Sequence, residues 1–304
     1  MSTLLIFPLP GNDSLAHSLA ATLGAEVGQL TVRRFPDQET YVRVDSPVTG
    51  RDVAIACTLH RPDDKLLPLL FLASTLRELG ARQVGLVAPY LAYMRQDRRF
   101  REGEAVTSTH FAAFLSETVD WLVTVDPHLH RRNSLAEIYS IPAAVLHAAQ
   151  NIADWIARNV PNPVLVGPDA ESAQWVRAVA DLARAPSIVL EKLRRGDRDV
   201  SVSVPDIERW RDHTPVLVDD IISTARTMIA TVGHLRRIGL VGPVCVGVHA
   251  VFADRAYDEL CEAGAGRVVT CNTVPHASNG IDIVPLLASG MQSLAERAAP
   301  AREP

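Results

Sequence analysis

Two adjacent acids, Asp219 and Asp220, follow the apolar run Val216-Leu217-Val218. A hydroxyl-bearing turn, Ser223-Thr224-Ala225-Arg226-Thr227, then leads into a helical pattern in which Ile229, Val232 and Leu235 share a face and Gly239 ends the run. Carboxylates accept hydrogen bonds from sugar hydroxyls, while the free N–H groups and positive end of a helix hold a phosphate. Strand, acid pair, hydroxyl turn and helix start together form a seat for a ribose phosphate. The plainer alternative is a strand-to-helix turn capped by Ser223 or Thr224. Two acids directly after a buried strand are costly without a ligand, which favours the seat.

Other polar sets sit in equivalent places. Tyr93-Met94-Arg95-Gln96-Asp97-Arg98-Arg99 follows the run Val84–Ala88, Asp126-Pro127-His128 follows Trp121–Val125, Gly167-Pro168-Asp169 follows Val164–Val166, and Lys192-Leu193-Arg194-Arg195 follows Ser187–Leu190. Arg34-Phe35-Pro36-Asp37-Gln38-Glu39 places an aromatic between a base and two acids in a loop. Ligands of open parallel sheets bind beyond the carboxyl ends of the strands, so this recurrence marks a shared rim. Taken one at a time, the plain readings are a solvated charged loop at Arg95–Arg99, a turn-capping His128, and a hairpin tip at Leu193–Val200.

The elements that must carry these groups follow from apolar periodicity. Strands are expected at Leu4–Phe7, Val53–Cys57, Val84–Ala88, Trp121–Val125, Val164–Gly167, Ser187–Leu190, Val216–Val218, Val244–Val248 and Val268–Thr270. Helices are expected at Ser14–Leu23, Leu66–Leu79, Thr107–Thr118, His147–Asn159, Ser172–Ala183, Thr227–Ile238 and Ala256–Ala263. Strands apolar on both faces, alternating with three-turn helices, predict an α/β protein with mainly parallel sheets flanked by helices. A boundary between Ile141 and Ala148 predicts two similar α/β domains, 1–145 and 146–304. No strict repeat relates the halves, so duplication is left open. The polar tail from Ser293 is expected to fray.

Composition narrows the function classes. The chain has 304 residues, a net charge of -5 and 5% aromatics, which speaks against a nucleic-acid binder with a basic patch or stacking platform. Cys57, Cys245, Cys261 and Cys271 form no zinc spacing and read as free thiols of a cytoplasmic protein. The start lacks a basic leader region, and neither long apolar run reaches the roughly 18 residues of a membrane span.

In their order along the chain, these stretches resemble the ribose-phosphate diphosphokinase, or phosphoribosyl-diphosphate (PRPP) synthetase, family. Phe35 to Glu39 matches F-[SP]-D-G-E with Gln38 in place of glycine, Tyr93 to Asp97 matches Y-x-R-Q-D, and Asp126-Pro127-His128 matches D-L-H. Pro168-Asp169 matches P-D, Lys192 to Arg194 matches K-x-R, and Asp219 to Thr227 matches D-D-x-[IV]-[DS]-T-x-G-T except at Arg226. The resemblance runs from about Arg33 to Thr273. It implies two phosphoribosyltransferase-type domains and transfer of the diphosphoryl group of ATP to ribose 5-phosphate, giving PRPP and AMP.

The resemblance also implies residue roles. Lys192 and Arg194 would be catalytic cations on a mobile loop. Phe35, Asp37, Gln38, Glu39, Arg95 and Gln96 would bind ATP, with Phe35, Asp37 and Glu39 reaching a neighbouring subunit of a homo-oligomer. Arg194, Asp219, Asp220, Ser223, Thr224, Ala225, Arg226 and Thr227 would bind ribose 5-phosphate, and His128 and Asp169 would mark the Mg2+ site. Asp126 and His130 lie close to His128, so a histidine–aspartate zinc site is the competing metal reading. Arg226 stands where glycine usually lets the backbone approach the phosphate; it either obstructs the site or adds a cation to it. Two rival functions remain: a silent regulatory subunit of such an assembly, and a phosphoribosyltransferase or PRPP-binding regulator.

Overall fold

Runs such as Asp52–Ala56, Gln83–Val87 and Trp121–Val125 bury every residue after the first, leaving no polar face, so they form interior strands covered by helices on both sides. The computed structural model describes residues 4–129, 131–167, 173–195, 199–203, 207–240 and 242–298. Contacts divide the chain into Met1–Leu146 with Val284–Pro304, and His147–Ile283.

The first unit contains β1 (Leu5–Pro8), α1 (Asp13–Leu23), β2 (Glu26–Val27), β3 (Leu30–Arg34), β4 (Thr40–Val44), β5 (Asp52–Ala56), α2 (Asp63–Glu78), β6 (Gln83–Val87), α3 (Thr107–Thr118), β7 (Trp121–Val125) and β8 (Ala143–Leu146). Its parallel sheet runs β2-β1-β5-β6-β7-β8, and β3 pairs antiparallel with β4 as a separate hairpin. The second unit contains α4 (Ala149–Asn159), β9 (Pro163–Gly167), α5 (Ala173–Ala183), β10 (Ser187–Val189), β11 (Glu191–Arg195), β12 (Asp199–Ser203), β13 (Thr214–Ile222), α6 (Arg226–Arg237), β14 (Val244–Ala250), α7 (Ala256–Glu262), β15 (Arg267–Cys271) and β16 (Asn279–Ile281). Its sheet order, β10-β9-β13-β14-β15-β16, repeats that of the first, and β11–β12 form a hairpin at the corresponding point. One topology is therefore used twice, although the sequence shows no strict repeat.

The structure redraws some boundaries. The expected second domain, 146–304, loses its last helix: α8 (Val284–Ala298) packs on α1, β7 and β8 of the first unit. Val284, Leu287, Ala288, Met291 and Leu294 are buried at helical spacing, and Gly290 brings the backbone close enough to Leu146 that a Cβ would lie 2.8 Å from its Cδ1. The tail expected to fray from Ser293 is helical to Ala298. β13 runs to Ile222, four residues beyond Val218, because β14 continues to pair with it from Asp219↔Gly247 to Ile222↔Ala250 after β9 has stopped at Leu217. Cys57, Cys245 and Cys271 are buried and Cys261 is exposed, none of them in a disulfide. Among the described residues no helix is long and apolar enough to cross a membrane.

Candidate active site

In the second unit, the extended β13 carries Asp219 and Asp220 to its carboxyl end, both half-buried. Asp219 Oδ1 accepts from the Asp220 N–H at 2.9 Å, and Asp220 Oδ1 from the Ile221 N–H at 2.8 Å. Each carboxylate therefore has one oxygen turned to its own backbone. The acids lie within the strand rather than in the turn after it. The turn is anchored to the segment after β14: the Val251 N–H donates to Ile222 O at 3.1 Å and the Ala253 N–H to Ser223 O at 3.2 Å.

Ala225 then adopts a left-handed conformation, φ 53°, and α6 begins at Arg226. The left-handed residue is thus the buried Ala225, not Arg226, where glycine was the expectation. Arg226 is helical and exposed, so its side chain does not strain the backbone approach. α6 has no side-chain cap and no acid in its first turn, which leaves its first N–H groups and positive end available to an anion. Ser223 is half-buried, and Thr224 and Thr227 are exposed on the same turn.

Lys192 and Arg194 lie in β11, opposite Val202 and Val200 of β12. The stretch expected as a mobile loop is thus a two-stranded hairpin through 195 and from 199. Asp169, the predicted metal residue, and His130 lie outside the described residues, as do 196–198.

In the first unit, Phe35, Asp37, Gln38 and Glu39 form the tip of the β3–β4 hairpin. The Phe35 N–H donates to Glu39 O and the Gln38 N–H to Phe35 O, both at 2.9 Å, while Asp37 Oδ1 accepts the Glu39 N–H at 3.2 Å. Gln38 has φ 75°, which accounts physically for glycine in the motif it departs from. The Phe35 ring is 38% exposed and the Arg33 guanidinium carbon sits 4.6 Å from its centroid, so the tip presents an aromatic surface with a cation beside it.

Arg95 and Gln96 follow β6. Arg95 is exposed, and Gln96 Oε1 accepts the Thr107 hydroxyl at 2.9 Å from the start of α3. Tyr93, left-handed at φ 61°, hydrogen-bonds the Asp63 carboxylate at the start of α2. That bond, with burial and the Asp63 charge, pushes the phenol up to about 12. His128 is half-buried after β7, two residues beyond Asp126, which is buried and left-handed at φ 36°. Arg131 reaches back to Asp97 at 3.0 Å. Asp63, Thr107 and Arg131 were not singled out from the sequence; Asp97 sits inside the quoted motif, but its partner is 34 positions away.

The described residues contain no group of three or more His, Cys, Asp or Glu side chains able to cage an ion. A magnesium ion bound with phosphates uses one or two protein carboxylates and keeps waters, so it needs no such cage.

Residues 4–118 match the family model described as the N-terminal domain of ribose phosphate pyrophosphokinase, and 134–284 match the phosphoribosyl transferase domain. A ribose-phosphate pyrophosphokinase from Methanothermobacter thermautotrophicus is 32% identical over 95% of this chain and 100% of its own. The chain belongs to the ribose-phosphate pyrophosphokinase family. A second member, from Sulfolobus acidocaldarius, is 31% identical over 88% of this chain and 91% of its own. The crystal structure of phosphoribosylpyrophosphate synthetase from Mycobacterium smegmatis superposes with a TM-score of 0.84 at 26% identity, covering 97% of this chain and all of that one. The family's two domain types thus account for both α/β units, including the first, which a lone phosphoribosyltransferase domain would leave unexplained.

Proposed function

We propose that the chain transfers the diphosphoryl group of ATP to the anomeric hydroxyl of ribose 5-phosphate, forming PRPP and AMP. The ribose oxygen attacks the β-phosphorus, the bond from that phosphorus to the α–β bridging oxygen breaks, and the hydroxyl proton is lost. The observation that carries this reading is the β13–α6 turn. It puts two carboxylates beside an uncapped helix start in a chain of this family, which suits a sugar phosphate.

Asp219 and Asp220 accept the ribose hydroxyls. Ser223, Thr224, Ala225 and Thr227 enclose the 5-phosphate with hydroxyl and backbone N–H groups, and the exposed Arg226 adds a guanidinium able to hold it by two bonds. Phe35 stacks on adenine while Asp37, Gln38 and Glu39 surround it with polar groups; the exposed ring suits delivery to a second copy of the chain. Arg95 neutralises the nucleotide phosphates, and Gln96, its oxygen engaged by Thr107, offers its amide N–H groups. Lys192 and Arg194 stabilise the charge that builds on the transferred phosphoryl group. Magnesium, when bound, shields the charge of the polyphosphate; His128 and Asp169 would hold it, the histidine through water. The setting is a cytoplasmic homo-oligomer.

Purified protein given ATP, magnesium and ribose 5-phosphate should release AMP and PRPP in equal amounts, with no AMP when ribose 5-phosphate is omitted. His128→Ala and Asp169→Asn should raise the magnesium requirement. Failure to form PRPP would favour a silent regulatory subunit, and consumption of added PRPP with a nucleobase would favour a phosphoribosyltransferase. Stoichiometric zinc, with activity lost on its removal, would overturn magnesium.

A further inference from the structure

The loop after β6 that carries Arg95 and Gln96 is tied to the loop after β7 that carries His128. Asp97 directly follows Gln96, and its side chain is only 2% exposed. Arg131, three residues beyond His128, donates from Nη1 to both carboxylate oxygens at 3.0 and 3.2 Å. The guanidinium itself stays 45% exposed, so the group held inside is the carboxylate. A carboxylate withdrawn from water is costly unless paired, and Arg131 supplies that pairing for Asp97.

The same guanidinium lies 5.7 Å from the Phe100 ring, further along the β6 loop, which Arg98 approaches at 4.9 Å. The segment is also fixed elsewhere. Gln96 Oε1 takes the Thr107 hydroxyl, Gln96 O takes the Ser108 N–H at 3.3 Å, and Tyr93 is held by Asp63. Those bonds fix the loop against α3 and α2. The Arg131–Asp97 pair relates it to the loop of His128.

We propose that Arg131 is a positioning residue for the nucleotide: through Asp97 it sets Arg95 and Gln96 relative to His128. The inference rests on reading Arg95 and Gln96 as nucleotide contacts. Neither Asp97 nor Arg131 touches a reacting atom. Their effect is expected on nucleotide affinity and not on the ribose 5-phosphate seat, which lies in a different loop of the other unit.

The test compares the full chain with Arg131→Ala, Arg131→Lys, Asp97→Asn, the Asp97→Asn/Arg131→Ala double variant and Arg95→Ala. Arg131→Ala should raise the KM for ATP about ten- to a hundredfold, the cost of a displacement near 1 Å. The KM for ribose 5-phosphate should stay within about twofold, additive sites being independent. Arg131→Lys should recover part of the loss, because an ammonium still meets Asp97 but lacks the planar fork that also reaches Phe100. The double variant should be no worse than the poorer single one. An unchanged KM for ATP in Arg131→Ala, an equal rise for both substrates, or additive losses would overturn the proposal. Should Arg131→Ala not fold, Asp97→Asn, which keeps volume and an acceptor, carries the same comparison. If Arg95→Ala leaves the KM for ATP unchanged, the nucleotide reading itself fails; if it raises that constant and Arg131→Ala does not, only the positioning role fails.

Discussion

Replacing Gly247 by alanine should damage the ribose-phosphate seat from behind. Gly247 lies in β14 opposite Asp219, and a Cβ there would fall 2.6 Å from Ile222 Cδ1, 2.7 Å from Ile222 Cγ1 and 3.5 Å from Thr270 Cγ2. Carbon atoms pack at about 3.5–4.0 Å, so the isoleucine must retreat by about 1 Å. It has little room: Ile222 is 1% exposed, within the core that also holds Ala225 and Met228. Its β-branched side chain is stiff, so part of the shift passes to the backbone. That backbone is the start of the turn, bonded through Ile222 O and Ser223 O to Val251 and Ala253. Overpacking of this kind costs about 1–3 kcal/mol, and displacement of a binding group by about 1 Å costs up to about a hundredfold in rate. Urea unfolding should show the stability loss. Steady-state kinetics should show a raised KM for ribose 5-phosphate, with that for ATP held within about twofold. Adding Ile222→Val removes the Cδ1 clash but leaves that with Cγ1, so it should recover only part of both losses. A destabilised variant with an unchanged ribose 5-phosphate constant, or one that the second substitution does not rescue, would refute the reasoning.

Gln38→Gly should leave stability unchanged or raise it by up to about 1 kcal/mol, since glycine relieves the left-handed strain but loosens the unfolded chain; a clear fall in the urea midpoint would show the tip is not strained. His60 is held down to about 4, from an ordinary 6.5, by burial and then by the charges of Lys65 and Arg61. The unfolded chain therefore takes up this proton first as pH falls. The contribution to stability is complete above about 6.5 and is lost as pH falls from there towards about 4, so His60→Gln should flatten that part of the stability–pH curve, and parallel curves would refute it. Lys192→Ala should lower turnover on the order of 10²–10³ while nucleotide binding and melting barely change; near-normal turnover removes Lys192 from the mechanism. Arg226→Ala and Arg226→Gly should both raise the KM for ribose 5-phosphate, because the left-handed residue is Ala225 and glycine at 226 has no strain to relieve. An unchanged constant in both sinks the phosphate clamp.

Local pattern was enough to read the interior strands and the helices between them. Val84–Ala88 and Trp121–Val125 could hardly be anything but buried strands, since neither carries a polar face. The rim motifs were equally legible, because in a parallel sheet the residue after a strand is by topology a residue at the ligand edge. The β3–β4 hairpin was not legible: Leu30–Arg34 and Thr40–Val44 are only partly buried, and what makes them strands is their pairing with each other. The extension of β13 to Ile222 depended on how far β14 happens to run beside it, and the return of α8 to the first unit depended on an uncovered face of β7 and β8. Ala225 as the left-handed residue, and Arg131 as the partner of Asp97, are likewise products of neighbours distant in the chain. Composition and periodicity determined which segments fold and which chemistry stands at their ends, because both are written over a few consecutive residues. Only tertiary structure decided which backbone bends left-handed, where each strand stops and what holds the nucleotide loop, because those depend on contacts between residues tens of positions apart.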